Sequence, residues 1–205
     1  NPAVTILTTS IVSSIAMQEN TIVLGSSYDG SNGYRTGAVM IYTKSGSGWT
    51  TSTIHETKIT ASDAASYEYF GQSVSIDGDQ LAVGAMNPLT STDLGKVYIY
   101  TKNGADWHTV APDEVMFQAD AGVYHFGASV SLQDNHLVVG TYNREYALEA
   151  SDVYVYTRNG GSWNTGTANR TVLSAPVDGN LLFGEKVFIT GTTIFVGAPL
   201  TDTNG

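Results

Sequence analysis

The stretch FGQSVSIDGDQLAVGAMN, residues 70–87, returns 56 residues later as FGASVSLQDNHLVVGTYN, residues 126–143. A third copy, FGEKVFITGTTIFVGAPL, opens at Phe183, and a worn one, IVSSIAMQENTIVLGSSY, starts at Ile11 with Ile11-Val12 in place of Phe-Gly. Repetition at this spacing marks an array of supersecondary units, each of which buries its apolar surface against its neighbours.

Within the unit that opens at Phe70, Ser73 to Ile76 alternate small polar with apolar residues, the period of a strand. Asp77-Gly78-Asp79 supplies a tight turn, and Leu81 to Val83 form a second strand ending at Gly84. After a polar loop over 85–94, Val97 to Tyr100 predict a third strand closed by Asn103-Gly104, and Trp107 through Phe117 predict a fourth. The same order returns in Val153 to Tyr156 with Asn159-Gly160 and Trp163, and in Val39 to Tyr42 with Gly46 and Trp49. No segment reads as a helix.

The third strands are apolar or aromatic at nearly every position, so they need cover on both faces. A four-stranded sheet stacked between two like sheets provides it, which is the blade of a β-propeller. The fold class expected is therefore all-β, with about three complete blades and two partial ones. Residues 1–10 read as the last strand of a preceding blade, 11–69 as blade 1, 70–125 as blade 2, 126–182 as blade 3 and 183–205 as the first half of blade 4. Phe70, Phe126 and Phe183 are expected to wedge between successive blades, with Ile11 doing the same less well. Gly71, Gly127 and Gly184 behind them let backbones approach, and Gly84, Gly140 and Gly197 end the second strands.

Composition narrows the function classes. Hydrophobic residues make up 41% of the 205, enough for a core, while charged residues reach only 14% against about a quarter in an average domain. A net charge of −10 repels phosphate backbones and excludes nucleic acid as a partner. No run of 18 apolar residues is present to span a membrane as a helix, and the absence of cysteine excludes disulfides and thiolate metal sites.

Phe-Gly at the head of each unit and Gly197-Ala198-Pro199 at the close of a second strand resemble the FG-GAP repeat. The run KITASDAASYEYFGQSVSIDGDQLAVGA, Lys58 to Ala85, is similar to the microbial form of that repeat in nearly every position. The resemblance implies a propeller of the kind found at the head of integrin α chains and in bacterial and algal surface proteins, hence an extracellular or cell-surface location. Fold alone assigns no function.

Members of that family often hold calcium in a D-x-D-x-D-G loop between the first two strands of a blade. The corresponding turns here are Gln18-Glu19-Asn20, Asp77-Gly78-Asp79, Gln133-Asp134-Asn135 and Thr190-Gly191-Thr192. These are too short and too poor in carboxylates to supply the six to eight oxygens calcium takes, so no metal or other cofactor is expected. The oxygen-rich run Tyr28 to Gly33 reads as a solvated turn, with weak calcium binding as its alternative. Asp63, Asp120 and Asp178 precede the Phe-Gly pairs and are expected to tie down the crossover loops by accepting backbone hydrogen bonds. His55, His108, His125 and His136 lack metal-ligand spacing, and no nucleophile elbow or phosphate loop occurs, so no catalytic residue is assigned.

The working surface expected is the face that carries the long second-to-third-strand loops and the crossovers. It collects Tyr28, Tyr34, Tyr67, Tyr69, Tyr124, Tyr142 and Tyr146, and tyrosine gives rigid apolar area with a polar tip. Asn169-Arg170-Thr171 is an acceptor triplet for N-glycosylation. The leading reading is a non-enzymatic structural or adhesion protein, a scaffold assembling head-to-tail into surface fibres. The alternative is a lectin-like module that binds glycan or protein on the tyrosines; a third is a propeller appended to a hydrolase. The partners expected are copies of the chain or flanking repeats, which complete the partial blades, and extracellular protein or glycan.

Overall fold

A computed structural model describes residues 10–46, 49, 54–86, 94–104, 106–107, 111–117, 125–141, 151–163, 169–175 and 182–199. Among them the chain forms strands and no α-helix. Strands β1 (Ser14–Gln18), β2 (Thr21–Ser26), β3 (Ala38–Lys44) and β4 (Ile54–Ile59) pair antiparallel in chain order as blade 1. Blade 2 contains β5 (Phe70–Asp77), β6 (Gln80–Ala85), β7 (Lys96–Asn103), β8 (Asp106–Trp107) and β9 (Glu114–Phe117). Blade 3 contains β10 (Ser129–Gln133), β11 (His136–Gly140), β12 (Asp152–Thr157) and β13 (Arg170–Ser174), again in order. Strands β14 (Lys186–Thr190) and β15 (Thr193–Gly197) make a further hairpin, the start of blade 4. The segment read as a strand ahead of Ile11 lies outside the described residues.

One strand differs from its expected form. The fourth position of blade 2 is split, with β8 pairing the end of β7 and β9 pairing its beginning. Pro112 has no N–H to give a ladder, and the Asp113 carboxylate accepts the Thr101 N–H that a continuous strand would face.

The third strands are apolar throughout because they serve two interfaces. Val97 and Ile99 face blade 3, in a core with Phe126, Val130, Leu132, Tyr154 and Tyr156. Tyr98 and Tyr100, on the other side of the same strand, join Val23, Val39, Ile41 and Phe70 between blades 1 and 2. Phe70 meets both of those tyrosines edge-on at 5.1 and 6.3 Å, and Phe126 repeats the arrangement with Tyr154 and Tyr156. Phe70 and Phe126 are fully buried. Phe183 is half-buried, because no third-strand tyrosine of blade 4 stands among the described residues to close over it. Ile11, expected as a weaker wedge, is 68% exposed, since no preceding blade stands among the described residues for it to enter.

The first strands stack side by side, β1 on β5, β5 on β10 and β10 on β14. Serines on the forward face serve the backbone of the next blade. Ser75 Oγ accepts the Leu132 N–H at 2.9 Å, and Ser129 and Ser131 accept Val187 and Ile189 at 3.0 Å each. Ser73 Oγ donates to the Gly127 carbonyl at 2.8 Å, and Ser14 does the same to Gly71 at 2.9 Å. A strand whose outer N–H groups are free in its own sheet is thereby satisfied.

The two recurring glycines meet each other. Gly71 and Gly127 lie at φ +86° and +87°, which only glycine adopts without strain. A Cβ on Gly84 would sit 2.0 Å from the Gly127 carbonyl oxygen, and one on Gly25 2.1 Å from that of Gly71. The backbones of adjacent blades touch there without any side chain between them.

Candidate functional site

Two segments of blade 1 build the long-loop face: the β2–β3 loop and the crossover from β4 to β5. They are laced together by backbone bonds from Tyr67 N–H to the Tyr34 carbonyl (3.1 Å), Tyr69 to Arg35 (3.2 Å) and Phe70 to Thr36 (3.0 Å). The lacing requires left-handed backbone at Arg35 (φ +52°), Tyr67 (+67°) and Tyr69 (+55°), uncommon for residues with side chains. The Tyr69 conformation recurs at His125 (φ +56°), so it belongs to the repeat.

The result is a cluster centred on Arg35. Its guanidinium lies over the rings of Tyr28 and Tyr34, 5.2 and 5.3 Å from their centroids, and Nη1 donates to the Tyr69 hydroxyl at 2.9 Å. Tyr28 meets Tyr69 edge-on at 5.5 Å, and Tyr34 meets Tyr67 at 5.1 Å. Tyr69 is buried, whereas Tyr28 and Tyr34 remain 48% and 58% exposed. Four of the seven tyrosines named from the sequence thus converge, and Tyr124, Tyr142 and Tyr146 lie outside the described residues.

The crossover loop is anchored underneath by charge. Glu68 is only 1% exposed, accepts the Ala65 N–H at 2.9 Å and pairs with Lys96. Lys96 Nζ also donates to Asp63 at 2.8 Å, and the Tyr98 hydroxyl stands 2.8 Å from both carboxylates as donor. Asp63, expected to hold backbone N–H groups, bonds its own amide and reaches across the loop to the side chains of Lys96 and Tyr98 on β7. Asp120 and Asp178 lie outside the described residues.

Asp29, in the oxygen-rich loop, accepts the Ser31 N–H at 2.9 Å and Lys58 Nζ at 3.0 Å. Burial pushes its carboxyl up, but the Ser31 hydrogen bonds and Lys58 outweigh burial and hold it at about 2. Asp63 is also lowered: burial opposes, and Lys96 and Tyr98 prevail. Folded values below the unfolded one mean stability that is complete above the unfolded pKa of 3.8 and lost as pH falls through the folded values. Tyrosine fluorescence of the cluster is expected to hold steady from about pH 7 to 5 and to change between about pH 4 and 2. In Asp29→Asn that change should shrink; an unaltered acid transition in both Asp29→Asn and Asp63→Asn would refute the assignment.

The first hairpins turn in two residues, with Glu19, Gly78, Asp134 and Gly191 at φ between +46° and +57°. Among the described residues no group of three or more histidines and carboxylates converges as a metal site. Turns this short and this poor in carboxylates supply too few oxygens for calcium, so chelator is expected to leave the melting temperature unchanged; a fall of about 5 °C or more on adding EDTA would contradict this, given how far a lost ligand shifts stability. On the opposite face, a groove of about 340 Å³ lies between the hairpins of blades 1 and 2, lined in part by Gln18, Lys44, Ile76, Asp79 and Lys102. Asn169 is half-exposed and Thr171 exposed at the start of β13, so the acceptor triplet is accessible.

Four-stranded antiparallel sheets that stack first strand on first strand define propeller blades, and the long-loop face of blade 1 gathers the exposed tyrosines Tyr28 and Tyr34. Residues 54–100, from β4 through most of β7, match the family model of the FG-GAP repeat, so this part of the chain carries an FG-GAP repeat. No curated protein matches it. Among solved structures, the crystal structure of the computationally designed Ika4 protein is similar at a TM-score of 0.49 and 11% identity, over 94% of this chain and 88% of that one. No helix among the described residues is long and apolar enough to cross a membrane.

Sequence reading named the tyrosines but missed Arg35, Glu68 and Lys96. A signal was present: with nine lysines and arginines against 19 carboxylates, a cation inside a Tyr-rich loop (GYRTG) stands out.

Proposed function

We propose that the chain is a non-enzymatic extracellular module for structure and adhesion, a scaffold of FG-GAP blades that meets extracellular protein or glycan through the tyrosine–arginine cluster. The observation that carries this reading is the convergence of Tyr28, Tyr34, Tyr67 and Tyr69 on Arg35. Half-exposed, rigid aromatics beside an arginine are the residue types that dominate binding hot spots. FG-GAP repeats are generally non-enzymatic and typical of extracellular proteins, which supports the class and the location. The test is to immobilise the chain and screen extracellular glycans and proteins. The Tyr28→Ala, Tyr34→Ala double variant should lose its ligands while its melting temperature stays within about 3 °C, as for exposed residues. Ligands retained by that variant would overturn the reading.

A second component, head-to-tail assembly, is favoured by the outer faces. Blade 1 exposes Ile15 and Met17, and blade 4 exposes Phe188 and Phe195. Ile15 and Met17 stand where Val74 and Ile76 pack against a preceding blade, and Phe195 stands where Ala82 and Val138 pack against a following one. Copies of the chain or flanking repeats cover these faces, and copies joined head-to-tail close into rings or continue as filaments. Light scattering should find concentration-dependent association that Phe188→Ser with Phe195→Ser abolishes. A wild-type chain that stays monomeric at high concentration would remove copies as the occupant.

A further inference from the structure

We propose that Arg35, Tyr28 and Tyr34 form a subsite for a carboxylate-bearing glycan, with Arg35 taking a uronate carboxylate and the two rings lying against the sugar. The proposal rests on reading the long-loop face as the ligand face and adds the chemistry of the ligand.

In a chain with 19 carboxylates and nine lysines and arginines, acids are at hand for a cation to pair with. Lys58 does so with Asp29, and Lys96 with both Asp63 and Glu68. Arg35 meets aromatics instead, as Lys44 and Arg158 do over Trp49 and Trp163, but it lies over two rings at once and its partners among the described residues are those rings and one hydroxyl. A guanidinium has five N–H donors in a planar fork suited to a carboxylate, and Tyr69 takes one through Nη1. The nearest acid in its own loop, Asp29, is already matched by Lys58 and Ser31, so an incoming carboxylate meets a neutralised neighbour.

The site is also held in advance. Arg35 and Tyr67 both keep left-handed backbone, the backbone lacing fixes the loop against the crossover, and the buried Glu68–Lys96 pair holds the crossover from below. Local strain kept in place by surrounding structure is a mark of preorganised sites. An arginine whose task ended at joining two loops would need only its bond to Tyr69. Here the guanidinium lies over two rings that stay about half exposed, so apolar ring surface and one charge are reached from solvent together. That shape fits a pyranose ring with a carboxylate substituent, whose C–H face lies on an aromatic ring. An acidic peptide shares the carboxylate but brings no pyranose face to lie on the rings, so an acidic peptide is the competing ligand for the test.

The test is calorimetric titration of the 205-residue chain with trigalacturonate, its methyl ester and triglutamate. Trigalacturonate should bind, and methyl esterification, which leaves the protein untouched, should weaken binding at least about tenfold, as should Arg35→Gln. Arg35→Lys should retain part of the affinity, and Tyr34→Ala should weaken it with the melting temperature unchanged. If Arg35→Gln unfolds the loop, the methyl ester and Arg35→Lys decide. Equal affinity for acid and ester, or no binding of trigalacturonate, overturns the proposal; equal affinity for triglutamate overturns the choice of glycan. If acid and ester bind alike and Tyr34→Ala removes both, the ligand face stands and the role of Arg35 falls. If the tyrosine variants alter binding of no probe and no screened ligand, both fall.

Discussion

Phe126→Ala is expected to lower the unfolding free energy by about 3–5 kcal/mol, the usual cost of emptying a buried phenylalanine site. Phe126 is fully buried among Val97, Ile99 and Met116 of blade 2 and Leu132, Leu137, Tyr154 and Tyr156 of blade 3. Its ring meets edge-on two tyrosines that are themselves buried in the core, so the cavity has little means to collapse. Phe183→Ala, at the half-buried equivalent, should cost clearly less. Denaturant titration of both variants is the measurement. A loss below about 1 kcal/mol for Phe126→Ala would mean that the residue does not join the blades.

Gly84→Ala should be the second severe substitution, and Gly197→Ala its internal control. Gly84 is the next-to-last residue of β6 and Gly197 the last of β15, and the two hold the same place in the repeat. At Gly84 a methyl group would fall 2.0 Å from the Gly127 carbonyl oxygen and 2.3 Å from Ser73 Oγ. The serine can turn, but the carbonyl is backbone, held by the Phe126-Gly127 turn. Blade 3 must therefore move away from blade 2, which opens the core and breaks the Ser73 and Ser75 hydrogen bonds. Overpacking of this kind costs about 1–3 kcal/mol or more, and a clash with backbone belongs at the upper end. At Gly197 the nearest atoms stand at 3.5 Å, ordinary contact, and alanine should change stability by less than about 0.5 kcal/mol. Equal effects at the two positions would show that strand propensity, not blade contact, governs these glycines.

Much of this architecture was legible in the residues themselves. The spacing of the Phe-Gly pairs marked the units, and a period of two in Ser73–Ile76 against unbroken apolar runs in Val97–Tyr100 separated strands with one dry side from strands with two. These are local signals, because a strand's neighbours are imposed by which of its faces cannot meet water. The two-residue turns were readable for the same reason, since Asp-Gly and its equivalents accept a positive φ without tertiary help. The split fourth strand of blade 2 was less readable: a single proline and an aspartate that captures a backbone N–H interrupt a run that is otherwise strand-like.

The candidate site divides the same way. That Tyr28, Tyr34, Tyr67 and Tyr69 share a face followed from topology, because long loops and crossovers leave a blade on one side. That they close around Arg35, and that Glu68, Lys96, Asp63 and Tyr98 hold the loop beneath them, did not. The pairs that join the β2–β3 loop, the crossover and β7 lie 28 to 35 residues apart, and nothing local to GYRTG or YEYF points from one to the other. Sequence by itself determined the repeat, the blades and the face on which their loops gather, because hydrophobic period and turn chemistry act over a few residues. Tertiary structure decided which cations met acids and which met aromatic rings, because charge pairing acts through space once the blades have packed.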